Sequence, residues 1–163
     1  MSILDVNLSD NFTFGEMVRT SHRHINNMPG PDETARLKKL CQEFLEPIRE
    51  KFGPLWITSG FRCRELNEAI GGSSTSAHVD GCAADFVPIV QPPLLAIPTI
   101  EIVDWVVDHS GLDFDQIIDE YSSTANWIHI GMLKPGWTQP PRREALTMRQ
   151  GRYFPFDRSV VTG

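Results

Sequence analysis

The stretch SAHVDGCAAD, residues 76–85, carries a histidine and an aspartate seven positions apart, with a glycine and small side chains between them. It follows directly on the polar run GGSST at 71–75. Were residues 76–85 one helix, His78 and Asp85 would share a face but lie about 10.5 Å apart along its axis, too far to meet one ion at about 2.0–2.2 Å. A chain reversal at Gly81 changes this. A histidine on the incoming loop and an aspartate on an outgoing strand then point into one cleft, and Cys82, Ala83 and Ala84 leave the approach uncrowded. The fold expected is therefore one that brings a loop and a strand together here.

Working outward, LWITS (55–59) and CAADFVPI (82–89) read as strands on either side of this loop, with RELNEAI (64–70) as a short helix stopped by Gly71-Gly72. Upstream, Leu37, Leu40, Cys41, Phe44, Leu45 and Ile48 recur at three and four, which predicts a helix over about 32–51, ended by Gly53-Pro54. Before it, RTSHRHINNMPGPDE is a loop, and LSDNFTFGEMV offers Ser9 or Asp10 as the cap of a short helical turn. Downstream, QPPLLAIPT is a proline-rich connection and IEIVDWVVDHSG a second amphipathic helix. FDQIIDEY and NWIHIGM, separated by SSTA, suggest an antiparallel pair. Helices first and a small, mostly antiparallel sheet later make the class α+β. No repeat or linker divides the 163 residues, a length that suits one domain.

Two ligands make a poor zinc site, and the third is sought in NWIHIG. His129 stands between Ile128 and Ile130 in an alternating strand, so it faces opposite to both. His78, Asp85 and His129 together offer two imidazoles and a carboxylate with one position left open, a catalytic rather than a structural zinc set. Each alone has an ordinary structural explanation, as a satisfied core histidine, a turn aspartate or a loop histidine. The same trio could serve iron in an oxygenase, but such sites sit on a large jelly roll with histidine and acid one residue apart. His22 and His24 alternate in a loop and His109 suits a helix C-terminus; none is assigned a role.

Composition excludes several classes. A net charge of −6 and a pI near 5.3 argue against nucleic acid as the main partner. Residues 132–163 are nevertheless basic, with Lys134, Arg142, Arg143, Arg149, Arg152 and Arg158 against Glu144 and Asp157, and read as a solvated hairpin paired with acidic neighbours. Cys41, Cys63 and Cys82 show no metal-binding spacing and read as reduced thiols. No stretch approaches the roughly 20 apolar residues of a membrane span, and the N-terminus lacks the features of a signal peptide, so synthesis in a cytoplasm is expected.

The residues resemble a known family. SGFR (59–62), LNEAIGGSSTSAHVDGCAADF (66–86), FDQIIDE (114–120) and WIHIG (127–131) look like the zinc peptidases of the D-alanyl-D-alanine carboxypeptidase family, which includes bacterial D-Ala-D-Ala peptidases and many phage endolysins. The motif S-x-H-x-x-G-x-A-x-D, Ser76 to Asp85, is specific, and a following W-I-H makes it more so. The resemblance implies a hedgehog/DD-peptidase-like core over about 8–131, with 132–163 a basic C-terminal extension packed on it. It implies one zinc ion on His78, Asp85 and His129, Arg62 facing the substrate, and hydrolysis of peptidoglycan stem peptides as endopeptidase or carboxypeptidase. Ser76 is a candidate to hydrogen-bond substrate. A monomer is expected, and release through a phage holin, by lysis or in a virion would bring it to the wall.

One position departs from the family. Many members carry Asp or Glu three residues before the last zinc histidine, as the general base; here it is Asn126, which cannot carry a proton at neutral pH. Glu120 is the first substitute, since the strand that carries it neighbours NWIHIG, and Asp119, expected on the opposite face, is the second. Without a base, the same scaffold would be a zinc-containing wall-binding or structural module.

Overall fold

In a computed structural model of the chain, residues 2–90 and 96–161 are described. Helix α1 (Phe14–Val18) is capped by Thr13, whose hydroxyl accepts from the Glu16 backbone while the Glu16 carboxylate accepts from Thr13 N. The cap is thus neither Ser9 nor Asp10; the Ser9 hydroxyl instead donates to Glu46 (2.6 Å). The helix expected over 32–51 runs as α2 (Pro31–Leu40), a π-helical segment (Cys41–Leu45) and α3 (Glu46–Phe52). Pro47 explains the interruption. It has no N–H to offer the carbonyl four residues back and its ring crowds that carbonyl, and the wider π turn, with Glu46 N bonded to Cys41 O, absorbs the misfit.

Strand β1 (Leu55–Ser59) leads to α4 (Arg64–Ala69), capped by the Cys63 thiol, and then to β2 (Ala83–Pro88). After α5 (Thr99–Asp108) come β3 (Gln116–Tyr121), β4 (Asn126–Gly131), β5 (Glu144–Arg149) and β6 (Arg152–Pro155). Of the proline-rich connection, 91–95 lies outside the described residues. The strands form one six-stranded sheet in the order β1-β2-β4-β3-β5-β6, antiparallel except where β3 meets β5. The class is α+β. The basic extension is not merely packed on the core: it supplies two strands of the sheet itself.

Alternation along these strands divides the sheet into two faces. Ala84, Phe86, Ile117, Ile128 and Ile130 point to the helices and join Phe14, Met17, Leu37, Leu40, Leu45, Ile48, Ile102 and Val106 in the buried core. Asp85, Ile118, Glu120, Trp127, His129 and Leu146 point the other way, into an open cleft. Buried Asn27 (5% exposed) braces the segment beside this cleft, donating to Val18 O and Phe61 O and accepting from Cys63 N (2.8–2.9 Å). Cys41 and Cys82 are free thiols, pushed by burial up to about 12 and about 11, so neither is a nucleophile at neutral pH.

Candidate metal centre and active site

Gly81 takes φ +69°, and a Cβ there would meet Glu33 O at 2.7 Å, so only glycine serves at the reversal between His78 and β2. Beyond it, β2 and β4 place Asp85 directly opposite His129. The three side chains converge. His78 Nε2 lies 3.1 Å from Asp85 Oδ1 and 3.2 Å from His129 Nδ1, and His129 Nδ1 lies 2.8 Å from Asp85 Oδ1. All three residues are buried, at 2%, 7% and 9% exposed for His78, Asp85 and His129.

The chemistry of this donor set fits a divalent ion. His78 Nδ1 donates to Gly60 O at 2.6 Å, which leaves Nε2 as the lone-pair nitrogen of a neutral ring. Burial lowers the His78 pKa against the opposing pull of Asp85, so the neutral form holds at pH 7. Burial alone would raise Asp85, but its close neighbours His78 and His129 outweigh it and hold the carboxyl far below the usual range. A single His129 proton is then all that is available among three converging lone pairs, and a cation satisfies all of them. Donors at about 2.0–2.1 Å from a tetrahedral ion stand about 3.3 Å apart, close to the spacing found.

Arg62 lines the cleft but is committed first to the triad, donating through Nη2 to Asp85 Oδ2 (2.5 Å) and through Nε to Ser59 Oγ (2.8 Å). Its Nη1 has no partner among the described residues. Ser76 sits at the cleft rim, its backbone N–H bonded to Ser73 O.

The two candidate carboxylates are separated by the pleat. Asp119 is fully buried on the helix side, accepting from Thr99 Oγ1 (2.6 Å) and Tyr121 Oη (2.8 Å). Asn126 also turns to that side, where its Nδ2 donates to Thr99 Oγ1 (2.9 Å). Glu120 faces the cleft with no hydrogen bond or ion pair among the described residues. Burial, then the nearby charge of Asp85, push it up to about 7, against the pull of His129 and Arg62.

The cleft encloses about 930 Å³, and its far wall comes from the C-terminal segment, through Trp137, Arg142, Glu144, Leu146 and Tyr153. No metal-ligand or motif spacing points to these residues, and the sequence reading missed them. The expected pairing of the basic tail holds for three of its six cations: Arg142 with Asp115 and Glu144, Arg143 with Asp113, Arg158 with Asp104 and Asp108.

A family model described as Peptidase M15 matches residues 10–130. The chain belongs to the peptidase M15 family. No match is found among curated proteins. Family membership implies a peptidase and, since M15 peptidases depend on zinc, agrees with the donor set of the cluster. The M15 match takes in the triad, Arg62, Ser76 and Glu120 and ends within β4, so β5 and β6 lie beyond it. No helix among the described residues of this M15 chain is long and apolar enough to cross a membrane.

Proposed function

We propose that the chain, working as a single domain, hydrolyses peptide bonds in peptidoglycan stem peptides with zinc held by His78, Asp85 and His129 and with Glu120 as general base. The observation that carries this reading is the convergence of three donor atoms within 2.8–3.2 Å at the floor of a cleft whose wall presents an unpaired carboxylate. Zinc supplies Lewis acidity toward a peptide carbonyl and toward water.

The side chains supply the rest. Glu120, facing the cleft beside the three donors, accepts the proton of the attacking water and returns it to the leaving amine. Arg62 fixes the orientation of Asp85 with one arm of its guanidinium and offers the free Nη1 to the oxyanion of the tetrahedral intermediate or to a substrate carboxylate. Ser76, at the rim, is placed to hydrogen-bond the peptide as it enters. Gly60 O holds the His78 ring in the tautomer that presents Nε2.

A non-catalytic module would rest on Asn126 as a lost base. The pleat turns Asn126 away from the cleft and Glu120 into it, which supports the enzyme. The test is incubation of the zinc-loaded protein with purified peptidoglycan and mass analysis of the soluble fragments. New peptide termini are expected; intact wall with bound protein would favour the module.

A further inference from the structure

We propose that Tyr153, on the C-terminal hairpin beyond the family match, is a substrate-contacting residue whose hydroxyl donates a hydrogen bond to a carbonyl oxygen of the peptide in the cleft. The inference rests on the peptidase reading above and adds a residue to it.

Residues paired across neighbouring strands project from the same face. Tyr153 on β6 pairs with Met148 on β5, Met148 with Glu120 on β3, and Glu120 with Trp127 on β4. These four form one row across the sheet, next to the row Asp85, His129, Ile118 and Leu146 that carries two of the triad. With strands about 4.8 Å apart, the β3 and β6 backbones stand about 10 Å apart in that row, a gap that a glutamate and a tyrosine reaching over Met148 largely close. Tyr153 accordingly lines the same cleft as the triad.

The phenol is unspent. Tyr153 is 59% exposed and its hydroxyl has no partner among the described residues, whereas Tyr121 gives its own to Asp119. A tyrosine kept only for packing would bury its ring. Partial burial, then the charges of Glu120 and Asp85, raise its pKa, so the group stays protonated and acts as a donor. Beside two carboxylates already engaged in the chemistry, the acceptors a peptide brings are its carbonyl oxygens.

Tyr153→Phe keeps the ring and removes the donor. With zinc-loaded full chain and a synthetic stem pentapeptide ending in D-Ala-D-Ala, kcat/KM is expected to fall about 3- to 10-fold, the worth of one neutral hydrogen bond. Melting temperature and zinc content should be unchanged. Calorimetry in a Glu120→Gln background, which needs no turnover, should show the pentapeptide bound more weakly by a similar factor. Unchanged kcat/KM and affinity in an active protein overturn the role of Tyr153 alone. A loss that follows a drop in melting temperature or zinc content makes the residue structural and overturns it too. If the wild type binds the peptide without cutting it, weaker binding by Tyr153→Phe still upholds the contact while the peptidase reading fails. A wild type that neither binds nor cuts the pentapeptide overturns both.

Discussion

Glu120 stands alone in the cleft. No hydrogen-bond donor among the described residues offsets the loss of water around it, so in the metal-free fold its pKa rises to about 7. Glu120→Gln should lower kcat by about 10²–10⁴-fold while zinc binding, measured by metal analysis, is retained. Stability carries a matching signature. In the metal-free fold Glu120 keeps a proton that the unfolded chain gives up near the ordinary 4.5, so its contribution is present below that pH and is lost as pH rises toward about 7. Thermal melts of the metal-free wild type should decline over that window, and Glu120→Gln should remove this part of the decline. At this scale the sequence was legible where chemistry is local. His78 and Asp85 lie seven residues apart, on a loop and on the strand it leads into, and the neighbours of His129 dictate its face. That Glu120 and Asp119 point to opposite faces followed from the same alternation. Asn126, two residues before Ile128, takes the helix side by that alternation too, but its partner was not legible, because the Thr99 hydroxyl that receives it sits on a helix 27 residues away.

Elements hold these side chains through a few polar ties. Asn27 is the tightest, joining the end of α1, the turn after β1 and the cap of α4, and so fixing the backbone on which Arg62 rides. Asn27→Ala strands two carbonyls and an N–H in the interior and should cost about 2–4 kcal/mol in denaturant unfolding. The variant should also raise KM, since Arg62 loses its fixed base. Strong periodicity made the long helix and the β3-β4 hairpin readable in advance. The π turn at Cys41–Leu45 was hidden, although Pro47 was its signal, because an apolar stripe looks the same on either side of one widened turn. The role of β5 escaped for a different reason: it pairs in parallel with β3, 28 positions earlier, and a parallel partner leaves no turn signature between the two strands.

For the molecule as a whole, zinc is expected to act as a clamp between the loop at His78 and the sheet. An ion that binds only the folded state adds about 2.7 kcal/mol at a free concentration 100-fold above its Kd. Adding zinc to metal-free protein should therefore raise Tm, chelation should reverse the rise, and His129→Ala should abolish it. Removing residues 144–161 would uncover the β3 edge and leave Ile118 and Glu120 against solvent; this shortened chain should melt lower and aggregate on heating. The parallel joint between β3 and β5 has a further consequence in time. A ribosome delivers the metal ligands well before the hairpin that walls the cleft, and β3 cannot gain its second neighbour until residue 149 has emerged. A nascent polypeptide thus carries all three donor residues before it has the strands that close the cleft.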